Sequence, residues 1–260
     1  MMKVSIIGSG AMTNIVMDYF SKNNFNIQFE YIYSRHIAKA EAICNKYKFG
    51  IPTDDINMVM EDKNTEIYVE CASQELAKKI LPELLEKNKK IIVMSVGIFN
   101  DELFNKDINS RLNKGSGNLY LTHGAIGGLD AIKSAALGGI DNVSLETRKN
   151  PASLGIEDDG KEKILFEGSA RKAVSLYPAN VNVAALLSIY SLGFDKTMVR
   201  IISDPSINSN IHTINITGST GNMKFIFENK PSHLNKKTSA LAAYSLISKL
   251  IELSGYLNHI

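Results

Sequence analysis

The sequence predicts an α/β protein with a doubly wound parallel sheet over residues 1–123, followed by an α+β domain over 124–235 whose sheet is mainly antiparallel. A C-terminal helix within 236–260 is expected to pack back on the first domain. Three observations predict this. Short apolar runs alternate with helix-period segments as far as residue 122, and two of those runs, Ile67-Tyr68-Val69-Glu70-Cys71 and Ile91-Ile92-Val93-Met94-Ser95-Val96, are apolar on both faces. The rhythm then changes after the glycine-rich stretch from Thr122 through His123, Gly124, Ala125 and Gly128 to Asp130.

Taken in order, Lys3-Val4-Ser5-Ile6-Ile7 is a β-rich run that enters Gly8-Ser9-Gly10-Ala11-Met12-Thr13, and a helix follows through Ile15, Val16, Tyr19 and Phe20. In a dinucleotide-binding fold the first glycine makes the turn and the second admits the pyrophosphate. The helix N-terminus, here Ala11 and Met12, offers free amides to the phosphate charge. The third motif position is Thr13 rather than Gly or Ala, so the motif by itself also reads as a structural turn. The alternation that follows favours the nucleotide reading: strand near 28–33, helices near 37–48 and 54–61, strand 67–71, helix 75–87, strand 91–96, helix 101–113 and strand 119–122.

The end of the second strand, Tyr33-Ser34-Arg35-His36, lacks the acid that reads the adenosine ribose of NAD. Ser34 and Arg35 can instead donate to a 2′-phosphate, which predicts that NADP is accepted; the other reading is a solvated loop. Ala72-Ser73-Gln74 and Gly97-Ile98-Phe99 follow later strands at the carboxyl edge, where they are expected to flank the nicotinamide ribose.

Beyond residue 128 a helix is expected from Leu129 to Leu137, ending at Gly138-Gly139, then a half-exposed strand over 143–149 and a charged loop over 156–163. Ser169 can cap a helix that stops at Pro178, and Asn180 can cap an apolar, buried one running from Val181 to Leu192. Strands follow at 198–203, 211–217 and 222–228, the last two joined across Gly218-Ser219-Thr220-Gly221. A final amphipathic helix carries Leu241, Tyr244, Ile247 and Ile251.

Composition narrows the function. With 29 basic and 27 acidic residues and no run of one sign, the chain lacks the electrostatic footprint of a nucleic-acid or anionic-membrane partner, and the expected partner is a small molecule. No apolar stretch approaches the roughly 18 residues that span a bilayer, and two cysteines, Cys44 and Cys71, fit a reducing compartment, so a cytoplasmic location without a disulfide is expected. No Cys/His cluster has metal-ligand spacing, so no metal is expected. His233 and His259 read as solvated residues. Alternation puts His212 on the face of Ile214 and Ile216, either as an acid or base tuned near neutrality or as a hydrogen-bonded core histidine, and the pattern alone favours the second. Asn182 can point an amide at a ligand or make a local backbone bond. Arg148, Lys149 and Arg171 are candidate cations for an anionic substrate, although surface charge is the commoner fate of each.

The assembled blocks resemble the L-aspartate dehydrogenase family across nearly the whole chain. They are Gly8-Ser9-Gly10-Ala11-Met12, Glu70-Cys71-Ala72-Ser73, Ser95-Val96-Gly97, Gly124 to Asp130, Thr147-Arg148-Lys149, Phe166 to Arg171, Pro178 to Ala185, and Asp204-Pro205 followed by Asn210-Ile211-His212. The resemblance implies a Rossmann-type domain plus an α+β domain, oxidative deamination of L-aspartate through iminoaspartate (or reductive amination of oxaloacetate), a place in NAD biosynthesis, and a homodimer. It implies that His212 matches the catalytic histidine and that Ala125 and Asn182 match cofactor contacts, which reverses the reading of His212. Lys149 and Arg171 become the expected carboxylate clamps, chosen for charge and motif position. Two departures stand out: Ser34 replaces the usual acid, and His123 stands where the family commonly has serine, which leaves open an NADP-dependent reductase of a different imine or oxo acid; a cofactor-sensing protein without turnover is the further alternative.

Overall fold

The N-terminal apolar run forms β1 (Met2–Ile7), and the computed structural model describes residues 1–177, 182–232 and 239–255. The chain divides into two units, one of Met1–Thr122 with the segment that begins at Ala243, the other of His123–Ala242. In the first unit β1 is followed by α1 (Ala11–Lys22), β2 (Ile27–Tyr33), α2 (Ile37–Tyr47), β3 (Ile51–Thr53), α3 (Ile56–Glu61), β4 (Ile67–Glu70), α4 (Gln74–Glu86), β5 (Lys90–Val93), α5 (Glu102–Asn113) and β6 (Asn118–Leu121). Their sheet runs β3-β2-β1-β4-β5-β6 with every pair parallel. The order reverses between β1 and β4, so the loops leaving those two strands lie at the switch point where such sheets bind ligands.

Helix starts in this unit are set by short acceptors. Asp55 Oδ1 accepts from the Asn57 and Met58 amides, and Asp101 Oδ1 from those of Leu103 and Phe104, satisfying donors that the first turn leaves orphaned. The core is built where strands are covered on both faces: all four residues of β4 are buried, and Val4, Ile6, Val69 and Ile92 have no exposed surface.

The second unit contains α6 (Leu129–Gly138), β7 (Ile140–Lys149), α7 (Pro151–Leu154), β8 (Lys163–Ser169), α8 (Ala170–Leu176), α9 (Asn182–Tyr190), β9 (Thr197–Ser203), β10 (Asn210–Gly218) and β11 (Gly221–Asn229). Its sheet runs β11-β10-β7-β9-β8 and is antiparallel except for the β7–β9 pair. One face carries Leu145, Thr147, Lys149, Val199, Ile201, His212, Ile214 and Ile216, all buried, with α8 and α9 packed against β9. The other carries Glu146, Arg148, Arg200, Thr213 and Asn215. Ala184 to Ser188 of α9 are buried, as its apolar sequence requires. The last helix, α10 (Ala240–Leu253), places Leu246, Ile247, Leu250 and Ile251 in the core of the first unit with Val16, Phe20 and Phe29.

Several elements differ from the sequence expectation. β3 is an unexpected edge strand, three residues long and interrupted by Pro52, too short to show an alternating pattern. β8 begins where the charged loop was expected to end and continues to Ser169, which precedes α8 but makes no side-chain cap. β5 stops at Val93 instead of 96, and a 3-10 turn runs from Val96 to Asn100. The buried stripe of α10 is Ala243, Leu246, Ile247, Leu250 and Ile251, which leaves Tyr244 51% exposed. The expected cap Asn180, with Pro178, lies outside the described residues. Leu246 is fully buried, so Leu246→Ala should cost about 2–5 kcal/mol of first-unit stability, checked by chemical denaturation.

Candidate active site

The glycine turn after β1 is shaped by its neighbour strand. Gly8 has φ +135°, and a Cβ there would stand 2.6 Å from the Cys71 carbonyl oxygen, so only glycine fits. Its amide donates to the Tyr33 carbonyl at 3.0 Å. Thr13, at the third motif position, is fully buried; its hydroxyl donates to the Gly8 carbonyl at 2.8 Å and lies 3.3 Å from Cys71 Sγ. The threonine therefore ties the helix to the turn where a glycine would only allow close packing. Gly10 precedes α1 without a side-chain cap, and a Cβ on it would meet nothing within 4 Å. Open space at Gly10 beside the uncapped amides of Ala11 and Met12 is the geometry a dinucleotide pyrophosphate requires, so this turn fits that group.

At the end of β2, Ser34 is buried, and its hydroxyl accepts from Ser9 Oγ at 2.7 Å and from the His36 amide at 3.2 Å. Ser34 thus braces the glycine turn against the second strand. Arg35 and His36 are exposed beside it, and Arg35 makes no side-chain hydrogen bond or ion pair among the described residues. On β4, Glu70 is fully buried. Its Oε1 accepts from the Ala72 amide and Ser95 Oγ, each at 2.9 Å, and its Oε2 from the Ser95 amide at 3.0 Å. Burial pushes its carboxyl above the usual range, opposed by these donors. The Ser73 hydroxyl accepts from the Leu76 amide and caps α4, while Ala72 is exposed. Burial also raises the Cys71 thiol to about 12, which makes it a small hydrophobe and not a nucleophile.

In the second unit, His123 Nδ1 lies 2.7 Å from the Ile126 carbonyl. A carbonyl only accepts, so Nδ1 carries the proton and the ring closes the bend at Gly124. The Ala125 carbonyl accepts from Asn229 Nδ2 at 2.8 Å, while its own N–H has no partner among the described residues. Gly128, at φ +68°, opens α6 where a Cβ would press within 2.6 Å of Phe225.

Strand pairing gathers the remaining chemistry. His212 on β10 is paired with Thr147 on β7, and its Nδ1 lies 3.0 Å from Thr147 Oγ1. Two residues along the same face, Lys149 is 5% exposed and lines a pocket with Leu145, Thr147, Leu154, Ala184, Val199 and Ile201. No carboxylate lines this pocket, and the Lys149 ammonium has no hydrogen-bond or ion-pair partner among the described residues. Burial lowers Lys149 to about 8. Burial, and then the Lys149 charge, lowers His212 to about 3, so its imidazole is neutral near pH 7.

Other expected site residues stand apart. Arg171 forms a two-pronged pair with Asp195 at the Met198 end of β9, whereas Lys149 is paired with Ser203 at the opposite end. The two expected clamps are therefore not brought together. Arg148 points to the other face and pairs with Asp204 and Glu162. Asn182 opens α9 and is exposed; His233 and His259 lie outside the described residues. Sequence patterning assigns no role to Thr147 or Glu70. The signals available were Thr147's same-face spacing from Lys149 and an acid inside an otherwise apolar strand. Among the described residues no cluster of acids, histidines and cysteines could hold a metal, both cysteines are free, and no helix is long and apolar enough to cross a membrane.

Known proteins match this architecture along its length. Residues 6–121 match the family described as Homoserine dehydrogenase, NAD binding domain, and residues 130–253 that described as Aspartate dehydrogenase, C-terminal. The chain is 36% identical over 255 residues to the L-aspartate dehydrogenase of Methanothermobacter thermautotrophicus, covering 98% of this chain and 96% of that one. The chain belongs to the L-aspartate dehydrogenase family. A crystal structure of aspartate dehydrogenase from Thermotoga maritima superposes with a TM-score of 0.78 at 30% identity, covering 100% of both chains. A hyperthermophilic archaeal homoserine dehydrogenase in complex with NADPH shares the fold, with a TM-score of 0.63 at 12% identity and 99% coverage of each chain.

A buried ammonium without a counter-ion among the described residues costs stability. The depressed Lys149 places that cost below about pH 8, where the folded chain holds the charge, and removes it as pH rises from about 8 towards the free value of 10.5. Lys149→Met should therefore raise Tm at pH 7, and the gap to the parent should close between about pH 8 and 10.5, as read by thermal unfolding across pH.

Proposed function

We propose that the chain is an NAD(P)-dependent L-aspartate dehydrogenase, oxidising L-aspartate to iminoaspartate, which hydrolyses to oxaloacetate and ammonia, and running in reverse as a reductive amination. The observation that carries this reading is the grouping of His212, Thr147 and Lys149 on one buried face, with a base and an uncompensated cation beside a pocket that holds no acid. Such a pocket suits an anionic substrate whose amine must lose a proton. Family membership supports the substrate, and the glycine turn supports the cofactor.

In this reading Gly8, Gly10, Ala11 and Met12 receive the pyrophosphate, Ala72 and Ser73 flank the nicotinamide ribose, and the Ala125 N–H with the Asn182 amide completes the cofactor contacts. A nicotinamide cofactor held by these residues would supply the acceptor for the hydride on the substrate α-carbon. Nδ1–H of His212 donates to Thr147 Oγ1, which leaves the Nε2 lone pair to take a proton from the substrate ammonium or from the water that attacks the imine. Thr147 is then the partner that accepts from Nδ1–H and orients the ring. Lys149 binds a substrate carboxylate. Two carboxylates arriving beside His212 offset the Lys149 charge and raise the proton affinity of the imidazole, so its basicity appears with substrate bound. Lys149, and not the Asp195-paired Arg171, is the anchor this reading uses. His123 shapes the bend and contacts substrate only through Nε2. Released iminoaspartate would feed NAD biosynthesis.

NADP is accepted in this reading because Arg35 is exposed and without a side-chain partner among the described residues, where an acid would repel a 2′-phosphate; Ser34 contributes mainly by bracing Ser9. A matrix of initial rates tests the whole: turnover is expected with aspartate, and with oxaloacetate plus ammonia, using both NAD(H) and NADP(H). Absence of aspartate turnover with either cofactor would sink the assignment. His212→Ala should lower kcat by roughly 100-fold or more, and near-normal turnover would return His212 to a packing role. Arg35→Ala should lower kcat/KM for NADP by about 10–100-fold while leaving NAD within a few-fold, the loss expected for one charge-assisted contact; equal losses with both cofactors would refute the Arg35 assignment.

A further inference from the structure

The first unit buries one carboxylate completely and spends it on two loops. Glu70 is the last residue of β4, and its oxygens accept from Ala72, two residues on, and from the amide and hydroxyl of Ser95, beyond the end of β5. The Ser95 amide is thereby turned away from the sheet ladder, β5 ends at Val93, and the chain winds into the 3-10 turn Val96–Asn100. A second link lies alongside, since a Cβ on Gly97 would collide with the Gln74 side chain. An apolar residue at 70 would fill the same space without the cost of burying a charge. What the carboxylate adds is a fixed relation between the loop after β4 and the loop after β5.

Those loops belong to one half of the sheet. In a doubly wound sheet of this order each half of a dinucleotide has its own half-sheet, the adenosine side on β1–β3 and the nicotinamide side on β4–β6. The glycine turn and Ser34-Arg35 lie on the first half and are held by Thr13 and Ser9, without Glu70. We propose that Glu70 is a positioning residue for the nicotinamide end of the cofactor, locking the loops after β4 and β5 in the conformation that receives the nicotinamide ribose. This rests on the cofactor reading above.

Glu70→Gln tests it, because an amide offers an N–H where the carboxylate accepted one, so one tethered donor must be released. Ser95→Ala is the milder companion, removing only the hydroxyl bond. Dissociation constants are measured on the full chain for the reduced cofactor and for ADP, which has neither the nicotinamide nor its ribose, with far-UV circular dichroism to establish folding. Glu70→Gln is expected to weaken the reduced cofactor by about 10-fold or more, in line with the loss of a charged hydrogen bond, and Ser95→Ala by about 3-fold or more, with ADP unchanged within 2-fold in both. Should Glu70→Gln fail to fold, Ser95→Ala decides alone. Unchanged reduced-cofactor binding, or equal weakening of both ligands, would overturn the positioning role. If the parent chain binds neither ligand, the cofactor reading itself fails and takes this role with it.

Discussion

A Cβ on Gly8 would stand 2.6 Å from the carbonyl oxygen of Cys71, and much of the first unit follows from that approach. It lets β1 and β4 pair in parallel up to Ile7 and Glu70, which puts the turn after β1 and the loop after β4 side by side at the switch point. Thr13 then secures the turn to α1, Ser9 secures it to Ser34, and Glu70 secures the β4 loop to the β5 loop. The carboxyl edge is a set of backbone turns, each held by one buried or half-buried hydroxyl or carboxylate.

The two units treat buried charge in opposite ways. Glu70 has both oxygens occupied by donors and serves geometry. Lys149 sits in a pocket with no acid lining it, and after burial itself its charge is the second cause that depresses the proton affinity of His212. A satisfied charge makes a rigid frame, whereas an unsatisfied one stores a preference for an incoming anion. The same low-dielectric surroundings account for both: they make the Glu70 hydrogen bonds strong and the lone Lys149 cation expensive.

Much of the fold was legible because it rests on local patterns. Continuous apolar runs marked β4 and β5, alternation marked β7 and put His212 on the buried face with Ile214 and Ile216, and glycines marked both ends of α6. β3 and β8 escaped because a three-residue strand and a strand at the sheet edge carry too little periodic signal. In α10 the expected Ile247 and Ile251 are buried, while Ala243 takes the inner position near the start of the helix because Leu241 and Tyr244 are apolar enough to mimic a buried face.

Residue types and order determined the doubly wound first half, the mainly antiparallel second half and membership of the L-aspartate dehydrogenase family, since hydrophobic period, turn residues and ordered motifs are properties of the chain itself. Tertiary structure decided which polar atoms have partners. Only strand register brings Thr147 to His212 across 65 positions, only the β4–β5 pairing gives Glu70 its donors at Ser95, and only the sheet's length separates Arg171 from Lys149. Hydrogen bonding and desolvation depend on neighbours distant in sequence, so the state of a buried charge is written in the fold and not in the local run of residues.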